Sequence, residues 1–75
     1  MNSVRSDDYQ KLLEELVKAR KNAGLTQQSL AAKMGKPQSF ISKVENGERR
    51  LDVIEFVVLT RMIGTNYKKI IDSCL

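Results

Sequence analysis

The chain has 75 residues, which is enough for one small domain and too few for a separate catalytic domain. It has no His and a single Cys, so it lacks the residues of a zinc site and of an internal disulfide. The N-terminal residues contain no apolar run typical of a secretory signal, and no stretch has the length of a membrane span. We therefore expect a cytoplasmic protein with no metal and no other cofactor.

Basic residues concentrate in the middle of the chain. The whole chain has a net charge of +4, whereas residues 18–50 contain eight basic and two acidic residues, a net charge of +6. A positive field of this kind suits the phosphate backbone of a nucleic acid. Charge clusters are often only solvated surface, so the inference depends on finding a nucleic-acid-binding motif in the same segment.

The N-terminal part predicts an arm followed by a helix. Residues 1–6 show no periodicity and are expected to form a mobile arm, in which Arg5 either touches a nucleic acid or belongs to a frayed terminus. A first helix is predicted from Asp7 or Asp8 to Ala23, with Gly24 as its stop. Its inner stripe is expected to contain Leu12, Leu13, Leu16, Val17 and Ala23.

Residues 26–47 predict two short helices joined by a tight turn. Thr26 is placed to cap the first of them, and Gly35 ends it where a left-handed residue is needed. Pro37 suits the first turn of the second helix, because its missing N–H would have no partner there. Ala31 leaves room for the second helix to cross close above the first.

An ordered set of residues in this segment resembles the helix-turn-helix of the Cro/repressor-like (XRE) DNA-binding family. The set is Gln27, Leu30, Ala31, Met34, Gly35, Ile41 and Val44, followed by Glu45-Asn46-Gly47. The resemblance covers nearly the whole chain and implies an all-α fold, a compact five-helix lambda-repressor-like domain spanning residues 1–75. It also implies an ion pair between Arg20 and Glu45. One position departs from the family pattern, since Lys36 stands where an apolar residue is common.

The C-terminal part predicts two more helices with surplus apolar surface. After the basic loop 48–51, Asp52 and Glu55 are spaced to form a capping box for a fourth helix, which is apolar around nearly its whole circumference. Gly64 ends this helix, and Thr65 or Asn66 opens the fifth. The alternatives are a monomeric core and a homodimer, and we favour the homodimer. Its predicted interface is Val57, Val58, Met62, Tyr67, Ile70, Ile71 and Cys74.

The third helix contains the residues expected to read DNA bases. In helix-turn-helix proteins the second helix of the motif lies in the major groove. Gln38 is the first choice for base readout because its amide can satisfy adenine N6 and N7 together, and Ser39 and Lys43 come next. Phe40 either contacts a thymine methyl group or covers a neighbouring helix.

Residues on both sides of the third helix are expected to hold the DNA backbone. Gln27, at the start of the second helix, combines a side-chain amide with free backbone N–H groups, and Gln28 follows it. Lys36 lies in the turn, and the segment after the third helix adds Asn46, Arg49 and Arg50. Such contacts orient the protein without reading sequence directly.

These features favour a sequence-specific double-stranded DNA-binding transcriptional regulator that has no small-molecule ligand. We expect a dimeric repressor or controller that reads a palindromic operator through the major groove. The alternatives are an antitoxin-type regulator that also binds a toxin, and a protein-interaction module that does not bind DNA. An enzyme is disfavoured because the sequence offers no His, no activated nucleophile and no convincing pair of catalytic carboxylates.

Overall fold

Five helices and no strand make up the chain over residues 2–75, the part described by the structure, which is a computed structural model. Side chains are described from Asp7 onward. The helices are α1 (Asn2–Asn22), α2 (Gln27–Lys33), α3 (Gln38–Glu45), α4 (Val53–Ile63) and α5 (Tyr67–Cys74). The predicted all-α, five-helix architecture is confirmed, with α2 and α3 as the helix-turn-helix. Over residues 2–75 no helix combines the length and the apolar character needed to cross a bilayer.

α1 differs from the prediction at both ends. It begins at Asn2, so the backbone of residues 2–6 continues the helix where an arm was expected. These residues include neither Gly nor Pro, and nothing in their backbone chemistry stops the helix near Asp7. The side chain of Arg5 lies outside the described side chains. At the other end Ala23 lies in the turn after the helix and is exposed, so its assignment to the inner stripe was wrong.

Capping boxes begin α2 and α4. The Ser29 N–H donates to Thr26 Oγ1 at 3.0 Å, and the Thr26 N–H donates to Ser29 Oγ at 2.9 Å. At α4 the Glu55 N–H donates to Asp52 Oδ1 at 2.7 Å, and the Asp52 N–H donates to Glu55 Oε1 at 3.1 Å. The predicted caps at Thr26 and Asp52 are both present, and they fix where each helix begins.

The turn between α2 and α3 is set by one glycine and one proline. Gly35 has a φ of +68°, the left-handed conformation predicted for it. Pro37 occupies the N-cap position, one residue before its predicted place inside α3. Ala31 is only 1% exposed beneath this turn, and its carbonyl accepts a hydrogen bond from the Lys36 N–H at 2.9 Å. The turn therefore holds α3 close against α2.

The hydrophobic core receives residues from all five helices. Its members are Leu13, Leu16, Leu30, Ala31, Phe40, Ile41, Val44, Phe56, Leu59, Ile63 and Ile70. Ile70 is 5% exposed, so its assignment to a dimer interface was wrong. It lies on the inner side of α5, which packs against α1. This core fixes which side of α3 faces outward.

Apolar residues also remain on the surface of α4 and at the end of the chain. Val53 and Ile54 are 75% and 71% exposed, and Leu75 is 82% exposed. In the predicted interface set, Val57, Val58, Met62, Ile71 and Cys74 are half-buried and Tyr67 is exposed. The first turn of α4 is thus more open than the predicted set implied.

Candidate nucleic-acid interface

α3 has a buried apolar side and an exposed polar side. Ile41 and Val44 are each 1% exposed, whereas Gln38, Ser39 and Lys43 are exposed. The two sides follow from the helical repeat, which brings residues three and four apart onto one face. Three side chains with different hydrogen-bonding chemistry are therefore exposed along the outer side of α3, the side that the sequence assigned to base contacts.

Phe40 belongs to the core. Its side chain is 8% exposed and packs with the other core residues, which favours the second of its two predicted roles, cover for a neighbouring helix, over contact with a base. Phe40 lies four residues before Val44, and this spacing continues the buried face of α3. Two cations lie over its ring, Lys36 Nζ at 5.3 Å and the guanidinium carbon of Arg49 at 4.9 Å from the ring centre. Phe40 thus supports the two segments that flank α3.

An ion pair joins α1 to the end of α3. Arg20 Nε donates to Glu45 Oε2 at 2.7 Å, and Arg20 Nη2 donates to Glu45 Oε1 at 3.1 Å. Arg20 Nη1 donates to the carbonyl of Leu25 at 2.9 Å. The pair that the family resemblance implied is present, and both side chains are about nine-tenths buried.

A chain of hydrogen bonds continues from this ion pair to the outer side of α3. Gln27 Nε2 donates to Glu45 Oε1 at 2.8 Å, and Gln38 Nε2 donates to Gln27 Oε1 at 3.3 Å. Gln27 was predicted as a phosphate contact, but sequence reasoning did not find its link to Glu45 and Gln38. These residues lie 18 and 11 positions away from Gln27, so no local pattern could have shown the contacts.

The residues predicted to hold phosphates surround α3, but both arginines have partners within the chain. Gln28, Lys36 and Asn46 are exposed, as are Arg49 and Arg50. Arg49 forms a bidentate ion pair with Glu55, at 2.9 Å from Nη1 and 2.8 Å from Nη2. The guanidinium carbon of Arg50 lies 4.2 Å from the centre of the Tyr9 ring.

Glu55 contacts Arg49 and Tyr9 contacts Arg50, and the sequence did not reveal either contact. Two hydrogen bonds to its carboxylate lower the pKa of Glu55 from its ordinary value. The larger effect comes from the Arg49 side chain and the smaller from the Asp52 backbone N–H. The same hydrogen bond from Arg49 raises the pKa of that guanidinium. The Tyr9 hydroxyl accepts a hydrogen bond from the Leu51 N–H at 3.2 Å, across 42 positions of sequence. α1 and α4 therefore both anchor the basic loop that follows α3.

An apolar groove of about 370 Å³ lies beside this loop. It runs between α1, the start of α4 and the end of α5, and its lining includes Tyr9, Leu12, Val53, Phe56, Ile71 and Leu75. Cys74 also lines it, and burial raises the pKa of that thiol. Among the side chains from Asp7 onward, no three metal-ligating residues come together as a metal site.

Comparisons with known proteins agree with this geometry. The family model described as "Helix-turn-helix" matches residues 16–69, which include both α2 and α3. The chain is similar to a solved structure of an XRE-family like protein from Pseudomonas syringae pv. tomato str. DC3000, with 51% sequence identity and a TM-score of 0.91. That alignment covers 95% of this chain and 87% of the other. No curated protein matches the sequence.

Proposed function

Because the chain belongs to the XRE-type helix-turn-helix family of DNA-binding regulators, we propose that it is a sequence-specific transcriptional regulator that inserts α3 into the major groove. In this proposal it is a dimeric repressor or controller and its operator is a palindrome. The observation that carries the proposal is the division of α3, with Ile41 and Val44 in the core and Gln38, Ser39 and Lys43 exposed.

The exposed residues of α3 supply the base contacts. Gln38 pairs its amide with adenine N6 and N7, and Lys43 donates to guanine O6 or N7. Ser39 lies beside Gln38 and can donate or accept a hydrogen bond. The contact from Gln27 to Gln38 supports this assignment, because it restricts the amide of Gln38 before DNA arrives.

The DNA backbone contacts flank these base contacts. Gln27 and Gln28 at the start of α2 hold one phosphate, and Lys36 reaches the backbone from the turn before α3. Asn46, Arg49 and Arg50 contact the backbone after α3. These charged or polar groups lie before and after α3 in the chain, and all are exposed except the half-buried Gln27. Binding through them weakens steeply as the salt concentration rises.

A homodimer provides the two copies of α3 that a palindrome requires. Support comes from apolar surface that the monomer leaves open, including Val53 and Ile54 on α4 and the exposed Tyr67 on α5. Val57, Val58, Met62, Ile71 and Cys74 are half-buried, so each leaves part of its apolar surface open to a second copy. A second copy of the chain removes such surface from water on both partners at once.

Selection of bound sequences from random duplex DNA tests the proposal. Wild-type protein is expected to recover a two-fold symmetric site, and the Gln38→Ala and Lys43→Ala variants are expected to relax the preference at individual bases of each half-site. Lys68→Ala, which removes an exposed lysine from α5, is the matched control and should leave the recovered site unchanged. Recovery of no common sequence by the wild-type protein would refute the proposal.

A further inference from the structure

Arg49, in the loop between α3 and α4, is held on several sides by its own chain. Its Nη1 donates to the carbonyl of Arg50 and to Glu55 Oε1, both at 2.9 Å, and its Nη2 donates to Glu55 Oε2 at 2.8 Å. The guanidinium carbon lies 4.9 Å from the centre of the Phe40 ring. The side chain nevertheless remains 43% exposed. Arg49 is therefore fixed in position and still open to a partner.

Among the side chains described from Asp7 onward, none accepts a hydrogen bond from one edge of the Arg49 guanidinium. A guanidinium has five N–H donors, and the contacts to Arg50 and Glu55 occupy both donors of Nη1 and one donor of Nη2. The donors that remain are Nε–H and the second N–H of Nη2, which point in parallel along the same edge. Among the residues described from Asp7 onward, no atom accepts a hydrogen bond from Nε. Two parallel donors of this kind match two oxygens of a phosphate group.

We propose that Glu55 is a positioning residue of the DNA interface, which holds Arg49 so that its free edge meets one phosphate of the DNA backbone. This inference rests on the proposed function, since it requires DNA against the loop that follows α3. Glu55 is itself fixed, because its Oε1 accepts the Asp52 N–H in the capping box of α4. A side chain ordered before binding loses less conformational freedom when the phosphate arrives, so the contact gains affinity.

A competing role for Glu55, in which it keeps Arg49 from the DNA, predicts the opposite change in affinity for DNA. If its carboxylate competed with phosphate for Arg49, removing the negative charge would strengthen binding to DNA. Glu55→Gln separates the two roles, because Gln also serves at this position of a capping box but lacks the charge. We expect Glu55→Gln to weaken binding to the selected operator about threefold to tenfold, the cost of ordering one long side chain on binding.

The matched control is Glu48→Gln, which removes a negative charge from the same loop. Glu48 lies one position before Arg49, and its described side-chain contact is with Asn46 at 3.5 Å. This control measures the electrostatic gain from losing one acidic residue near DNA. We expect the Glu55→Gln variant to bind the operator more weakly than the Glu48→Gln variant does. Equal or tighter binding by Glu55→Gln would overturn the inference.

A double-mutant cycle establishes that Glu55 acts through Arg49. In the Arg49→Ala background, Glu55→Gln is expected to cause no weakening, and to change the dissociation constant only as much as Glu48→Gln does. Arg49→Ala by itself should reduce the slope of log K against log salt by about 0.9, the value for one lost phosphate contact. Arg49→Lys keeps the charge without the planar edge, so it should weaken binding while the slope stays near that of the wild type.

The outcomes distinguish this inference from the proposed function. If wild-type protein selects an operator but Glu55→Gln still weakens binding without Arg49, only the positioning role fails. If Arg49→Ala leaves the salt slope unchanged, Arg49 contacts no phosphate and the inference fails in the same way. If wild-type protein selects no operator, the proposed function fails first. Thermal melting of each variant verifies that the binding measurements compare folded proteins.

Discussion

Glu45 accepts hydrogen bonds from three side-chain nitrogen atoms, two on Arg20 and one on Gln27. The side chains of the ion pair are 9% and 10% exposed. If the carboxylate were removed, Arg20 would remain buried with the Leu25 carbonyl as its described acceptor. An arginine left in that state has a high cost, because its charge has neither water nor a counter-ion.

Glu45→Ala is therefore expected to lower the free energy of unfolding by about 3 kcal/mol, the usual penalty for removing one partner of a buried ion pair. Urea denaturation followed by circular dichroism measures this loss. Glu48→Ala removes an exposed acidic residue from the neighbouring loop and should change the free energy of unfolding by about 0.5 kcal/mol or less. A loss from Glu45→Ala as small as that of the control would contradict the structural role assigned to the pair.

Single residues also show where prediction from sequence ends. Gln38, Ser39 and Lys43 could be placed on the outer side of α3, because helical periodicity settles which side chains face away from Ile41 and Val44. The position of Phe40 could not be settled, since an aromatic residue at the boundary of the apolar face suits either burial or contact with a base. The partnership of Arg49 with Glu55 depends on how the loop folds back onto α4, which no residue spacing specifies.

Among the helices, the sequence was most informative where a local signal exists. The cap at Thr26, the capping box at Asp52 and the glycine stop at Gly35 each depend on residues within about one turn, and they were predicted correctly, although the reciprocal bond from Ser29 to Thr26 was not predicted. The start of α1 was predicted too late, because residues 2–6 contain neither a strong helix breaker nor a hydrophobic repeat. Helix ends without a cap are the least determined by sequence.

Gly35 permits a direct test of the turn between α2 and α3. Its φ is +68°, and a Cβ built there would meet no other atom within 4 Å. Gly35→Ala should therefore cost only the strain of a left-handed residue, about 1 kcal/mol in the free energy of unfolding. Gly35→Asn should cost less, because Asn adopts this conformation more readily. Equal losses for the two variants in urea denaturation would contradict this explanation.

For the whole molecule, the distribution of apolar surface is the property that the sequence described least well. α4 is apolar around most of its circumference, so its sequence indicates that more than one side is buried. The sequence does not indicate which of these sides packs against the other helices. The structure covers Phe56, Leu59 and Ile63 and leaves Val53 and Ile54 open. Ile70, assigned to the interface from sequence, is core because α5 packs that side against α1.

The proposed homodimer predicts a change of mass on disrupting this surface. Ile54→Asp places a charge on the first turn of α4, where the side chain is 71% exposed, and should leave the helical content unchanged. Sedimentation velocity is expected to show a dimer for the wild-type protein and a monomer for the variant, because burying an unpaired carboxylate in an interface is costly. Ala23→Asp, at an exposed position after α1, is the control and should remain dimeric. A monomeric wild-type protein would refute the homodimer.

The hydrogen-bond chain from Glu45 through Gln27 to Gln38 has a consequence for how operator preference can evolve. A replacement of Gln38 alone leaves Gln27 Oε1 without the N–H that it accepts at present. A replacement of Gln27 alone removes the support of Gln38 and also one donor to Glu45. Divergence toward a new operator is therefore expected to proceed by paired exchange at positions 27 and 38. Lys43 makes no side-chain hydrogen bond to the residues described from Asp7 onward, so single substitutions at that position are expected to suffice.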